Sequence, residues 1–373
     1  MNKWLTKWSI KKVALVFIIA VVTVFICSGP GWRSFAAGKI TRISPHRKTV
    51  CTANPKIRKW FRNYRRGTSA KYFKKGENSW PVPVRLRWRS GLGRGALFTV
   101  RVSKNRSMKG AVTYRTKKKY LDLHEPESAR TYYWTVTGKN AGKAYTSKVK
   151  RFRVAAYPRT IKVGGVSNVR DFGGYSTPYG RIKQGVVYQS ANLDKITKAG
   201  KKKLLKKLRV RTDLDLRKTG EGTSGKGSPL GKTVRYRHRS GVMYDEVWKN
   251  KKNRKRLVNE VRVFVSKKNY PVMFHCTYGR DRTGTLAFTV GGLLGMNKKD
   301  LYRNYELSFF SVMGSHGSKT VDERLKMLDS LYRYFRTYRS KEHSLRWNIE
   351  RFLLDNGMEK REIKAVRKNL VNA

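Results

Sequence analysis

Carboxylates are scarce in this chain. Its 373 residues include 23 Asp and Glu against 86 Lys and Arg, a formal net charge of +63. The basic residues run the whole length instead of forming one tail. A field of that sign gathers polyanions without specificity. The surroundings or partner should therefore be anionic: a phosphorylated substrate, an anionic membrane or cell-wall surface, or nucleic acid. A solvated surface suited to the habitat accounts for the charge equally well, because charge alone says nothing about chemistry. Cysteine is scarcer still. Cys27, Cys51 and Cys276 are too few and too scattered for a disulfide framework or a structural zinc site. Neither a metal nor a cofactor is expected. Long low-complexity tracts are absent, and 39% apolar with 12% aromatic residues is enough to build a real core. The length exceeds one usual domain and implies about two folded units with accessory segments.

Long apolar runs are nearly absent too. The one that stands out, Val13 to Cys27, is about fifteen residues, short for a membrane span and at the upper end for a signal-peptide core. Lys3, Lys7, Lys11 and Lys12 precede it, which argues against a buried core helix. Ser34 and Ala36 form a small-x-small pair suited to cleavage after Ala36. Residues 1–36 are read as a signal peptide or membrane anchor, placing the protein outside the cytoplasm, secreted or tethered. Arg33, Lys39, Arg42 and Arg47 follow closely, so positive charge does not separate the two sides of the run.

Residues 37–79 are basic with poor periodicity and read as a linker, with one short helix near Ile57 to Tyr64. From Trp80 the pattern becomes period-two. Val84, Leu86 and Trp88 alternate with Arg85, Arg87 and Arg89, and Phe98, Val100 and Val102 alternate with Thr99, Arg101 and Ser103. Gly91 to Gly95 joins those strands, Tyr132, Trp134 and Val136 open a later one, and Phe152 and Val154 close the segment. Residues 80–155 thus form a small all-β sandwich. The stretches TYYWTVTG and SKVKRFRV, with Trp88, resemble fibronectin type III domains. Such a module serves as a spacer or binds a wall polymer or protein, and carries no chemistry by itself.

Chemistry concentrates in residues 270–295. An apolar strand, Pro271 to His275, leads through HCTYGRDRTG into a helix that starts near Arg282 or Thr283. Five residues separate Cys276 from Arg282, a spacing that lets one loop wrap a tetrahedral phosphate. Backbone N–H groups from Thr277, Tyr278, Gly279, Arg280 and beyond can all point at phosphate oxygens, and the helix adds its positive end. The planar fork of Arg282 can hold two equatorial oxygens and tighten its grip toward the transition state. The same field favours thiolate at Cys276, making it a nucleophile. Thr283 can donate to the sulfur, and His275 braces the loop from behind.

This loop resembles the signature of the cysteine-dependent tyrosine and dual-specificity phosphatase superfamily. More narrowly it is similar to a bacterial tyrosine phosphatase family whose loop reads HCxxGKDRTG. NVRDFGGY at residues 168–175, GRIKQGVVYQSANL at 180–193, TDLDLRKTGE at 212–221 and NYELS at 304–308 carry the likeness in the same order. It spans about Ile161 to the C-terminus. The resemblance implies a catalytic domain over residues 156–373, an α/β fold with a central sheet flanked by helices, and a cysteinyl-phosphate intermediate. It also implies substrates that include phosphotyrosine, phosphoserine, phosphothreonine and phosphoinositides. Arg280 replaces the family's lysine, which puts a preference for inositol phosphates or lipids in doubt.

An alkoxide or phenoxide leaving group needs a proton donor. The resemblance implies Asp281 for this role, with Asp245 and Glu246 as alternatives. Asp213 and Asp215 lie on an apolar-flanked strand, where Asp215 with Arg217 reads as a loop-supporting ion pair. Asp171 sits at a turn before Gly173 and Gly174, where Arg170 could pair with it or touch substrate. Strands near Val186, 212–216, 234–238 and 272–275 interleave with basic helices over 204–208 and 254–265, followed by helices over 321–338 and 345–354. The leading reading is a phosphoprotein phosphatase. The alternatives are an inositol phosphate or phosphoinositide phosphatase, or a surface-binding protein with an inactive phosphatase domain. No nucleic-acid motif is present, and no specific nucleic-acid partner is expected.

Overall fold

The computed structural model describes residues 39 to 372, apart from residues 94 and 141. The signal-peptide or anchor reading of residues 1–36, with Cys27, lies outside the described residues. Among the described residues no helix is long and apolar enough to cross a membrane.

The period-two stretches form two sheets. Val84–Ser90 alternates buried and exposed side chains without a break and lies between Ile40–Ser44 and Tyr120–Leu123. The second sheet runs in the order Lys48–Val50, Lys150–Val154, Thr131–Asn140, Leu97–Ser103, Val112–Thr116, with Lys143–Thr146 paired to Thr131–Asn140. Leu86 and Trp88 from the first sheet meet Phe98, Val100, Trp134 and Phe152 from the second in one core. The Gly91–Gly95 connection carries the chain from one sheet to the other.

The described part of the expected linker, residues 39–79, is folded into both units. Ile40–Ser44 pairs with Val84–Ser90 in the first sheet, and Lys48–Val50 runs parallel to Lys150–Val154 in the second. The helix Pro55–Arg62 then crosses to the C-terminal unit, where Ile57 and Trp60 pack with Tyr72, Leu307 and Phe310. Buried Glu306 accepts from the Tyr64 hydroxyl at 2.8 Å, the Gly67 N–H at 3.1 Å and the Ser69 hydroxyl. Basic residues between the apolar ones mask this segment's periodicity. The helix packs on Leu307 and Phe310, more than 200 residues away in sequence, so no local pattern could show the contact.

The C-terminal unit is built on a five-stranded sheet. Its order is Arg170–Asp171, Val187–Ser190, Val272–His275, Thr212–Asp215, Arg235–His238, with the first pair antiparallel and the rest parallel. The three central strands are buried at every position, as a sheet covered on both faces requires. Alternation along Val272–His275 splits them between two cores. Val272 and Phe274 face a core that includes Leu257, Leu286 and Phe352, while Met273 joins Leu204, Leu208 and Val234 on the other side. The helix Asp281–Leu293 is buried from Thr283 onward and forms the centre of the larger core. The helix expected over 204–208 is a short α-helix, Lys198–Lys202, that widens into a π turn over Lys203–Lys207.

Candidate active site

Cys276 is the first residue after the central strand Val272–His275, at the carboxyl end of the parallel sheet where α/β folds place their sites. The loop Thr277–Arg280 follows, and the helix begins at Asp281. The backbone N–H groups of Thr277 to Arg282 find no hydrogen-bond acceptor among the described residues, leaving a row of donors beside the sulfur. Gly279 makes the loop possible. Its φ is +67°, and a Cβ there would lie 2.3 Å from the Ser190 carbonyl oxygen, so any side chain would displace backbone.

The loop is held from outside by amides. Asn168, itself at φ +58°, donates its Nδ2 to the carbonyls of Tyr278 at 3.1 Å and Gly279 at 2.9 Å. Asn192 Nδ2 donates to the Thr277 carbonyl at 2.9 Å. Arg170 fixes Asn168 through its Oδ1 and anchors on the Asn304 carbonyl at 3.0 Å. It does not pair with Asp171, as the sequence suggested it could. Asp171 is buried and accepts from Arg159 at 2.9 Å, Gly173 N–H at 2.8 Å and Gly185 N–H at 2.7 Å, bracing a turn.

Behind the loop, His275 is fully buried and its Nε2 lies 2.9 Å from Asp213 Oδ1. Burial opposes protonation of this ring, but Asp213 and Asp215 outweigh it and raise the pKa above its ordinary value. Asp215 takes Arg217 Nε at 3.0 Å and Nη2 at 2.9 Å. Burial works against its charge too, yet Arg217 holds its carboxyl far below the usual range. Arg217 reaches on to Asp194 at 2.8 Å. These residues support the loop and carry no free charge toward a substrate.

A pocket of 460 Å³ opens over the sulfur, lined among others by Asp194, Glu221, Met243, Tyr278, Asp281 and Arg282. Arg282 donates to Glu221, and burial of its guanidinium is outweighed by that carboxylate and by the nearby Cys276 sulfur, which keep it charged. Asp281 accepts from the Tyr244 hydroxyl at 2.6 Å and is clamped by Arg280 at 3.0 and 2.9 Å. Asp194, Glu221 and Asp281 are all shifted below the usual carboxylate range. In each, burial raises the pKa and is overcome, by Thr223 and Arg217, by Arg282 and Thr277, and by Arg280 and Tyr244 respectively.

Three expectations change here. Arg280 is not on the pocket wall: its guanidinium is buried, bound to Asp281 and to the carbonyls of Gly314 at 2.6 Å and His316 at 2.9 Å. Its planar fork spans one carboxylate and two carbonyls, which draws it away from the site. The Thr283 hydroxyl is buried and has no hydrogen-bond partner among the described residues, the sulfur included. Asp245 is half exposed and pairs with Lys249, and Glu246 accepts from the Met243 N–H at 3.1 Å, so neither lines the pocket. Sequence reasoning missed Glu221, Asn168, Asn192 and Tyr244 as site residues. The first three stand inside motifs already singled out, Asn168 just ahead of a strand, Asn192 just beyond one and Glu221 beside a glycine.

One solved structure, entitled "Structure of Siw14 catalytic core", aligns at a TM-score of 0.27 and 14% identity, covering 40% of this chain and 92% of that one. No curated protein matches the chain. Residues 161–372 match the family model described as "Tyrosine phosphatase family". That span takes in the whole five-stranded sheet, the loop after Cys276 and the residues Asn168, Asn192 and His275 that hold it, and more than half of the residues: the chain belongs to the tyrosine phosphatase family.

Proposed function

We propose that the protein hydrolyses aryl phosphate monoesters, phosphotyrosine foremost, through a cysteinyl-phosphate intermediate. The observation that carries this reading is the loop itself: Cys276 lies at the floor of a pocket beside Arg282 and a row of unpaired backbone N–H donors. The thiolate of Cys276 attacks phosphorus, and the bond from phosphorus to the leaving oxygen breaks. Asp281, lining the pocket from the next turn, supplies the proton that oxygen needs. Water then attacks the phosphocysteine, Asp281 takes its proton, and free phosphate and thiolate are restored.

Two features support an aryl monophosphate over an inositol polyphosphate. The cations on the pocket wall are Arg217 and Arg282, and each is already matched by carboxylate. Arg280, which sequence alone could have offered to a second phosphate, is committed elsewhere. Met243 and Tyr278 instead give the pocket surface suited to a phenyl ring, and Tyr278 is held by stacking on His316 at 4.9 Å.

Placement outside the cytoplasm rests on the lysine-led apolar run, and the two paired sheets of the N-terminal module support a fibronectin type III-like sandwich. The test is hydrolysis of a phosphotyrosine peptide, a phosphoserine peptide and inositol polyphosphates, with chelator present and Cys276→Ser as control. Phosphotyrosine turnover that vanishes in the variant is the expected result. Activity surviving in Cys276→Ser, or a preference for the polyphosphates, overturns the reading.

A further inference from the structure

A cleft of 850 Å³ lies between the β module and the catalytic unit, at the end of the sheet opposite Cys276. It is braced rather than open-ended: the Ser128 N–H donates to Gln184 Oε1 at 2.8 Å, and Gln184 Nε2 donates back to the Ser128 carbonyl at 2.9 Å. One wall carries Lys206, Lys207, Arg209 and Arg211, all exposed and all without an ion-pair partner among the described residues. The carboxylates that could neutralise them from the facing wall are taken. Asp122 is bound by Arg85, Glu125 by Lys203 and Glu127 by Lys104. A second hollow of 620 Å³, with Lys183, Lys267 and Lys368, shares Tyr270 with the first and extends the basic track.

We propose that this track docks a flexible linear polymer of repeated phosphates without nucleobases. The positive charge is strung along two adjoining hollows, which fits a chain of regularly spaced anions better than a single compact one. A bilayer is flat and cannot follow a cleft between two modules. A nucleic acid would need aromatic faces for its bases, whereas Tyr114 and Tyr270 pack against the two cores. Docking at this end of the sheet leaves the pocket over Cys276 free to work while the enzyme is held on an anionic scaffold.

The test is titration of the full-length protein with end-labelled inorganic polyphosphate over a series of salt concentrations. The cleft variant carries Lys206→Gln, Lys207→Gln, Arg209→Gln and Arg211→Gln. The control carries Lys251→Gln, Lys252→Gln, Lys255→Gln and Arg333→Gln, which remove the same charge from exposed positions on neither hollow. At about 0.7 in salt slope per phosphate contact, the cleft variant should lose about 3 in slope and about tenfold or more in affinity, and the control under about threefold. Unchanged turnover of a small aryl phosphate shows that both variants are folded. Equal losses in the two variants overturn the proposal, because the charge then acts diffusely. Cleft-dependent binding that favours single-stranded nucleic acid or phosphatidylglycerol vesicles over polyphosphate overturns it as well.

Discussion

Glu221 receives both terminal nitrogens of Arg282, at 3.0 and 2.8 Å, and the Thr277 hydroxyl at 2.8 Å. Those are donors a phosphate dianion would use, so a carboxylate stands where a substrate must come. The loop that carries it has Gly220, Gly222, Gly225 and Gly227 at positive φ, which leaves its backbone easily rearranged. Glu221→Gln keeps the shape and removes the charge. Inhibition by phosphate or vanadate should then strengthen about fivefold, on the order of 1 kcal/mol for one partly exposed charge pair. Weaker inhibition would mean that Glu221 serves instead to aim Arg282.

Asp281 must be protonated to act as an acid, yet Arg280 and Tyr244 stabilise its ionised form. The rate for poor leaving groups should therefore fall as pH rises through a value below the ordinary carboxylate one, giving an acidic optimum. Arg280→Met removes the guanidinium, raises that pKa and moves the basic limb of the kcat profile to higher pH. Arg280→Lys, which keeps a charge but loses the fork, should fall between. A limb that stays fixed in both variants would remove Asp281 from the proton transfer.

Asn168 holds two loop carbonyls from a left-handed backbone position. Asn168→Gly accepts that backbone at no steric cost and deletes only the amide, so kcat should fall with KM changing less. The expected drop is about tenfold or more, since misplacement of reacting groups by about 1 Å can cost about a hundredfold. Unaltered kcat would show that the loop keeps its shape without this support.

Glu260 is fully buried, and burial pushes its pKa from 4.5 up to about 8 despite the Val242 backbone N–H and the nearby Arg256, Arg239 and Arg282. The folded state thus holds a proton that the unfolded chain releases above its ordinary value. Stability contributed by this group is full below pH 4.5 and is lost as pH rises toward 8. Glu260→Gln removes the dependence: its melting temperature should exceed that of the parent at pH 8, and the gap should close by pH 5. A constant gap would mean that Glu260 does not titrate in the fold.

The loop after Cys276 was legible because one phosphate fixes the spacing of every group around it, and the strands of the β module because alternation is a local signal. The supports were not. Glu221, Asn168 and Asn192 meet the loop only through the sheet order, which brings residues 168, 192, 221 and 277 to one end of the fold. Arg280 misled for a related reason. Sequence places it in the loop, but its direction is set by the carbonyls of Gly314 and His316, over thirty positions away. The segment 37–79 hid its apolar contacts among lysines and arginines for the same lack of local pattern.

The path of that segment bears on how the two modules can move. The chain enters the β module at Ile40, leaves it after Val50 for the catalytic unit, returns at Val84 and leaves again after Val154. Three covalent crossings link the two bodies where a tethered spacer has one. A hinge turns freely about a single thread; three threads, with Glu306 fastening the stretch between the first two, behave as a weld. The β module is therefore part of the frame of the enzyme, and a load applied to it is transmitted to the catalytic unit.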